Sequence, residues 1–431
     1  MGLVLGSRKG GTPADIYFTN LKCLEIGRDR YDHASIASGD IQGYHDTIPW
    51  GQLLRSLLAR GVSLPWAVAA VRIHRCPRLY LEHQGESSRV LTRRRSLLTG
   101  GASAAILARI PVEDSLILAR DRYECTSWGL YLASGRLFYT AWSDNLWAYG
   151  ASQEQSIAML NTLEEELKRS WYCKIKSSSR TVQNACAGAP FDHEFLDDKG
   201  QAWQVTSSVD TLGALVSSTG SSVPDLEQTE TKLRAAFFRN HRLLTNSHLT
   251  LVTRAEAFRT IASGVVQARA AAWQPSKATY DRLDSFQNEI VGWLLRLVRE
   301  PGEDDRQYSI RRNREIGRVS KTPLSLTAAT AAVSWASHML RHLDSPAALA
   351  WKTQGPDWIA ERRAEFSSVS ERRVTSRTRS RTAPAYVHRW DPDGWVERLQ
   401  VTPDDAEDAA GRKRKAETLL RGLKTKTCCK L

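Results

Sequence analysis

Two short apolar runs separated by a polar turn define residues 138–150, FYTAWSDNLWAYG. Apolar side chains alternate with small ones over 138–142, and the alternation resumes over 146–149, the pattern of half-buried β-strands. The Ser-Asp-Asn turn between them carries one carboxylate, Asp144, at the tip of the predicted hairpin. Such an aspartate is either an ordinary turn residue or part of a site.

Helical spacing predicts helices on both sides of this hairpin. Leucines recur at helical spacing within 53–58 until Gly61 ends the run, and 64–74 predicts a second helix. After the hairpin, Ser152 caps a strong helix, and we expect its glutamates on the face opposite its apolar stripe. That stripe consists of Ile157, Leu160, Leu163 and Leu167. Long helices rich in Arg and Trp are predicted over about 226–300.

Other segments complete the expected order of elements. A glycine-rich loop over 6–11 leads into a helical segment over 14–29. The segments 78–83 and 88–93 predict a strand pair, and 202–218 predicts two further short strands.

The last seventy residues differ in composition from the rest. Residues 361–384 carry seven arginines among serines and threonines, and RKRK at 412–415 follows an acidic patch at 404–410. This composition predicts a disordered tail. Its basic clusters are typical of a nuclear-localisation signal or an RNA-binding arm, and equally of a solvated tail.

Composition narrows the class of partner. The chain has 431 residues, 42% hydrophobic and 25% charged, and a formal net charge of +13. This positive charge predicts a polyanionic partner, most of all nucleic acid and next an anionic membrane surface. The alternative is that the charge belongs only to a basic tail on a soluble protein. The cysteines show no CxxC or framework spacing, which is typical of reduced thiols in the cytosol or nucleus. The sequence also shows no signal peptide and no apolar run long enough to span a bilayer. We therefore expect an intracellular protein of the nucleus or cytoplasm with no membrane partner.

Two aspartates are placed to share a metal. Asp40 ends a short apolar run in GDIQGYHD, and Asp144 lies at the hairpin tip. A carboxylate at the end of one strand and another on an adjacent hairpin can meet across a sheet. Two-metal phosphoryl transfer needs such a cluster, because Mg²⁺ takes hard oxygen ligands and keeps positions open for phosphates.

The order of several segments is more specific than any one of them. The segments are GSRKGGTPADI (6–16), Asp40 to Asp46, the helix at 53–62, RRRSLLTGGASAA (93–105), the hairpin, WYCKIKSSSR (171–180) and VDTLGALVSSTG (209–220). In this order they resemble the reverse transcriptase of non-LTR (LINE-like) retrotransposons. The resemblance covers residues 1 to about 320 and, more weakly, 335–343.

The resemblance implies roles for individual residues. Asp40 and Asp144 would bind two Mg²⁺ ions, or Mn²⁺, that activate the primer 3′-hydroxyl and hold the triphosphate. Asn145 would complete the catalytic hairpin, and His45 would lie over the sugar of the incoming nucleotide. The remaining residues that it implies are Arg8, Lys9, Gly100, Lys174 and Lys176 as substrate contacts, and Leu212 and Gly213 as the primer-grip turn.

The sequence also departs from the family pattern. Asn145 replaces the second aspartate of the hairpin. A site that otherwise holds three carboxylates therefore keeps two. Some viral RNA polymerases resemble this arrangement, because they have Gly-Asp-Asn at the same turn. Thr99 stands where the family has Gln before Gly100, and no Ser-Pro follows. Because the sequence begins at the second fingers motif, with no endonuclease before it, we expect a divergent copy truncated at its N-terminus.

The expected fold is α+β, a right-hand polymerase palm in which helices back an antiparallel sheet, with partial fingers, a helical thumb-like region and a disordered basic tail. The expected domains are partial fingers (1–35), palm (36–185), primer-grip hairpin and thumb (186–320), a helical extension (321–360) and the tail (361–431). The expected function is RNA-directed DNA synthesis on an RNA template from a DNA primer and dNTPs, with catalysis left open by Asn145. The alternative is a nucleic-acid-binding remnant without chemistry.

Overall fold

The structure, a computed structural model, describes residues 2–4, 10–29, 34–75, 82–87, 95–98, 103–132, 135–185, 192–320, 322–353 and 395–425. The chain divides into two compact units. The first comprises Met1–Val209 and Ser218–Gly220, and the second comprises Asp210–Ser217 and Ser221–Leu431.

The first unit mixes strands and helices. In chain order its described elements are β1 (Gly2–Val4), α1 (Pro13–Asp29), β2 (Ser35–Asp40), α2 (Tyr44–Thr47), α3 (Trp50–Ala59), α4 (Leu64–Arg75), β3 (Glu82–His83), β4 (Glu86–Ser87), α5 (Ala104–Asp121), β5 (Leu130–Leu132), β6 (Gly135–Leu137), β7 (Tyr139–Trp142), β8 (Asn145–Gly150), α6 (Gln153–Trp171), β9 (Thr181–Asn184), β10 (His193–Leu196) and β11 (Ala202–Val205).

Seven of these strands form one sheet in the order β1-β7-β8-β2-β9-β11-β10. The pairs β1–β7 and β9–β11 are parallel, and the other four are antiparallel. Strand β2 therefore lies in the interior of the sheet, between the β7–β8 hairpin and β9. The fold is α+β, a mainly antiparallel sheet with helices packed on it.

Helix α6 packs on one face of the sheet and α1 on the other. The Tyr139 hydroxyl donates to the carbonyl of Met159 on α6 at 3.1 Å. The Tyr149 hydroxyl donates to Asn20 Oδ1 on α1 at 2.6 Å. Tyr139 lies opposite Ala148 in the ladder, so Tyr139 and Tyr149 point to opposite faces. Both faces of the central strands are thus covered at this end of the sheet.

Helix α6 begins as predicted, with the Ser152 hydroxyl accepting the Gln155 amide at 3.3 Å. Its apolar stripe is buried. The expectation that its glutamates face away is wrong for two of them, because the side chains of Glu164 and Glu166 are only 3% and 1% exposed. Each is paired with an arginine, which makes burial of the charge tolerable.

Where the structure describes it, the second unit is helical apart from one hairpin. Its described strands and α-helices are β12 (Ser208–Thr211), whose first two residues belong to the first unit, β13 (Ala214–Ser217), α7 (Val223–Arg239), α8 (His241–Leu244), α9 (Leu251–Arg269), α10 (Lys277–Leu295), α11 (Asp305–Val319), α12 (Leu324–Arg341), α13 (Pro346–Thr353), α14 (Trp395–Arg398) and α15 (Ala409–Thr425).

Most of the predicted elements are confirmed where the structure describes them. The helices over 14–29, 53–58 and 64–74 form, as do those over 226–300. The hairpin turn is shorter than expected, because Asn145 already belongs to β8. The segment 202–218 contains three strands instead of two.

The predicted strand pair over 78–83 and 88–93 is described only across 82–87, where β3 pairs with β4.

The prediction of a disordered tail is wrong for residues 395–425, and residues 361–394 lie outside the described residues. The basic cluster RKRK lies on α15, which packs against α12. Ala416 and Leu419 are buried there, and Lys415 Nζ lies 2.6 Å from the buried Asp405 carboxylate. Apolar positions at helical spacing and an ion pair to a buried carboxylate therefore order a segment whose composition favoured disorder.

No helix among the described residues combines the length and the apolar character needed to cross a bilayer.

Candidate functional site

The end of β2 meets the turn of the β7–β8 hairpin. Asp40, the last residue of β2, lies opposite Asn145 in the ladder. The next amide, that of Ile41, donates to the carbonyl of Asp144 at 2.9 Å. Ser143, the first turn residue, has φ of 56°, a left-handed conformation that lets two residues reverse the chain. This turn places the Asp144 side chain beside the end of β2.

The carboxyl groups of Asp40 and Asp144 lie within hydrogen-bonding reach of each other. Burial raises the pKa of Asp40, and the charge of Asp144 and the hydrogen bond between the two acids raise it further, while the Lys176 ammonium lowers it. The amide of Asn145 donates to Asp144 Oδ1 at 3.3 Å. Two acids held this close favour a cation or a shared proton between them.

A second segment closes the site from the other side. The Gln42 amide donates to the carbonyl of Lys174, and the Lys176 amide donates to the carbonyl of Asp40, both at 2.8 Å. Ile175, between the two lysines, forms an isolated antiparallel β-bridge with Ile41. Both lysine side chains are exposed, and the Lys176 ammonium is close enough to lower the pKa of Asp40.

Glu164 on α6 holds this segment, a role that our sequence analysis missed. Its carboxylate accepts the Ile175 amide at 3.0 Å and Arg180 at 2.6 Å. Burial alone would raise the pKa of Glu164, but the hydrogen bonds and charge of Arg180, with Lys168 and the Ile175 amide, hold it below its ordinary value. The signal was present in the sequence, since Glu164 lies four residues after Leu160 and thus within the apolar stripe.

Gly39 allows the same segment to approach β2. A Cβ at position 39 would lie 2.6 Å from Ile175 Cγ2, closer than a van der Waals contact allows. The approach of Ile175, and with it the position of Lys176, therefore requires glycine here.

The donor set suits a hard divalent cation. The carboxylates of Asp40 and Asp144 are the oxygen ligands that Mg²⁺ and Mn²⁺ prefer, and they need a counter-charge. Among the described residues no group of three or more His, Cys, Asp or Glu side chains could hold a metal, so the pair is not extended by a third carboxylate.

The other predicted substrate contacts divide into described and undescribed residues. His45 lies on α2 with its ring 5.7 Å from that of Tyr44, and its Nδ1 is buried without a hydrogen-bond partner in the described part of the chain. The carbonyl of His45 accepts the Leu97 amide at 2.7 Å. Arg8, Lys9 and Gly100 lie outside the described residues.

No protein-family model matches this sequence, and no curated protein matches it. Solved structures do match this chain. Telomerase from Candida albicans, solved with a TWJ fragment of telomeric RNA, matches with 9% identity and a TM-score of 0.39, over 74% of this chain and 55% of that one. Telomerase from Candida tropicalis, solved with the same kind of fragment, matches with 10% identity and a TM-score of 0.37, over 81% and 53%. The chain spans about half the length of these structures.

The predicted primer-grip turn lies in the second unit. Leu212 and Gly213 join β12 to β13 with φ of 53° and 94°, so both are left-handed. The guanidinium of Arg269 donates to the carbonyl of Gly213. Asp225 accepts the Leu215 amide at 2.6 Å and pairs with Arg269 at 3.1 Å. This buried ion pair, which sequence reasoning missed, fixes the hairpin on α7 and α9.

Proposed function

We propose that this chain is an RNA-directed DNA polymerase of retrotransposon type that acts at the Asp40–Asp144 pair. The observation that carries the proposal is the placement of two carboxylates side by side. Asp40 at the end of β2 lies opposite Asn145 in the ladder, and the carbonyl of Asp144 in the hairpin turn accepts the Ile41 amide at 2.9 Å. The order of reverse-transcriptase-like segments along the sequence supports the same function.

The residues present fit a two-metal reaction. Asp40 and Asp144 would hold Mg²⁺ or Mn²⁺, which when bound lowers the pKa of the primer 3′-hydroxyl and offsets phosphate charge. The primer 3′-hydroxyl loses its proton to solvent water, and its oxygen forms a bond to the α-phosphorus of the dNTP as the bond to pyrophosphate breaks. Lys174 and Lys176 supply positive charge to the departing phosphates. His45 lies on the short helix just after Asp40 and would stack on the sugar.

Primer extension on poly(rA)·oligo(dT) with dTTP and Mg²⁺ or Mn²⁺ tests this function. We expect extension by the wild-type chain and only background with Asp144→Ala. Asp46→Ala, a change of an exposed carboxylate six residues after Asp40, is the matched control and should leave extension intact. Equal extension by wild type and Asp144→Ala would refute the assignment.

A nucleic-acid-binding remnant without chemistry is the second candidate. One observation favours it, since Asn145 lies directly opposite Asp40 and brings no charge to the site. If wild type and Asn145→Asp both bind template–primer without extending it, the remnant is supported. If Asn145→Asp extends the primer faster than wild type, the fold is competent and Asn145 limits the reaction.

A further inference from the structure

We propose that the end of α7 and the start of α8 bind single-stranded nucleic acid, with one base stacked on Phe238 and the adjacent phosphates bound by Arg239 and Arg242. These three residues are called the Phe238 face below. Its binding does not depend on polymerase activity, because all three residues lie in the second unit and none belongs to the Asp40–Asp144 site.

The Phe238 ring is exposed and yet held in place. The residue is 62% exposed, and its ring lies 5.9 Å from that of Trp293 on α10 at an interplanar angle of 34°. Phe237, which is buried, contacts both rings, at 5.4 Å from Trp293 and 5.4 Å from Phe238. A ring supported from behind by other rings loses little freedom when a ligand stacks on its open side.

The surroundings of this ring are basic. Residues 231–255 contain no aspartate or glutamate. The basic residues of this segment are Lys232, Arg234, Arg239, Arg242 and Arg254, with His241 and His248. Arg239 and Arg242 are exposed, and neither forms an ion pair with any residue that the structure describes.

The nearest acid on the neighbouring helix does not cancel this charge. Glu289 lies four residues before Trp293 on α10, and its carboxylate is already paired with Arg234 at 3.2 Å. Positive charge on Arg239 and Arg242 is therefore left for an external anion.

An exposed aromatic ring followed in sequence by two exposed arginines, Arg239 and Arg242, matches unpaired nucleotides. Bases offer their π-faces to a protein only where they are unstacked, which occurs in single strands. Phosphates on either side of the stacked base supply the negative charge that the two arginines require. A purely apolar protein partner would leave both guanidinium groups without a counter-charge.

Fluorescence anisotropy with a labelled 12-nucleotide oligo(rU), measured at several salt concentrations on the full chain, tests the proposal. Phe238→Ala should weaken binding by about 5-fold to about 150-fold, the range for loss of one stacked base. Phe238→Tyr keeps a ring and should bind like wild type. Ile310→Ala, in which a side chain of similar exposure (59%) on α11 is shortened, should also bind like wild type.

The charges are tested by the salt dependence. Arg239→Gln combined with Arg242→Gln should reduce the slope of log Kobs against log salt by about 1.4, from about 0.7 for each phosphate contact. The pair Arg306→Gln and Arg314→Gln changes the net charge equally and should leave the slope unchanged.

Three results would overturn the proposal. The first is equal binding by wild type and Phe238→Ala, which would leave only non-specific electrostatic attraction. The second is an equal loss with Phe238→Ala on oligo(rU) and on an annealed RNA duplex, whose bases are already stacked. The third is no binding of oligo(rU) by wild type at low salt, which would assign the face to a protein partner.

Discussion

Removal of the Glu164 carboxylate should strongly destabilise the first unit. The side chain is 3% exposed, and its Arg180 partner is 5% exposed at 2.6 Å. Glu164→Ala leaves a guanidinium buried without its partner, which costs about 3 to about 5 kcal/mol. The Ile175 amide loses its acceptor as well, and this loss overlaps with the first because the groups form one network.

Urea denaturation at pH 7, followed by far-UV circular dichroism, measures this loss. The adjacent Glu165 provides a matched control, because it is 49% exposed and pairs with Lys199 at the surface. Glu165→Ala should change the free energy of unfolding by no more than about 0.5 kcal/mol. If Glu164→Ala is as stable as Glu165→Ala, the buried network does not support the segment 174–176.

The same pair predicts a pH dependence. The pKa of Glu164 is lowered in the folded state, so its stabilisation is present above the unfolded pKa of about 4.3. It is lost as the pH falls through the folded pKa. The stability difference between wild type and Glu164→Gln should therefore shrink on acidification below about pH 4, and a difference that grows there would contradict the pairing.

Three other changes have defined outcomes. Gly39→Ala forces Ile175 away from β2, so it should lower the free energy of unfolding, measured by chemical denaturation, by about 1 to 3 kcal/mol and also reduce primer extension. The control Gly51→Ala, in open space on α3, should leave the free energy of unfolding unchanged or raise it. Arg269→Ala leaves the Asp225 carboxylate buried without its arginine and should lower the free energy of unfolding, measured by chemical denaturation, by about 3 to 5 kcal/mol. The control Arg259→Ala removes a partly exposed ion pair and should lower it by less than about 1 kcal/mol. In metal-free solution Asp144→Asn should raise the midpoint of thermal unfolding, because it removes the repulsion between two neighbouring carboxylates. For unit charges that repulsion is about 1 to 4 kcal/mol at a separation of about 4 Å and dielectric constants of about 80 to 20. Mg²⁺ should then stabilise wild type but not the variant.

Local signals predicted the parts of the fold that local chemistry determines. The N-terminal cap at Ser152 and the apolar stripe were enough to predict α6. The alternation of apolar and small side chains was enough to predict β7 and β8. The meeting of Asp40 with Asp144 followed from a strand end and a hairpin tip, because an antiparallel ladder brings those two positions together.

Features that depend on distant residues were missed. Helical periodicity places Glu164 within the apolar stripe, but it cannot show that Arg180 and Arg122, 16 and 44 residues away, pair with Glu164 and Glu166. Helix α5 was not predicted at all, and it contains Pro111, a residue that normally argues against a helix interior. The helix in the tail depends on burial against α12, whereas composition alone favoured disorder.

If Asp40 and Asp144 form one metal site, both carboxylates contribute to the affinity for Mn²⁺. Electron paramagnetic resonance of Mn²⁺, titrated into the protein and displaced by Mg²⁺, measures it directly. We expect Asp40→Asn and Asp144→Asn each to weaken Mn²⁺ binding by about 10-fold or more, and Asp46→Asn to bind like wild type. Equal Mn²⁺ binding by wild type and all three variants would contradict it.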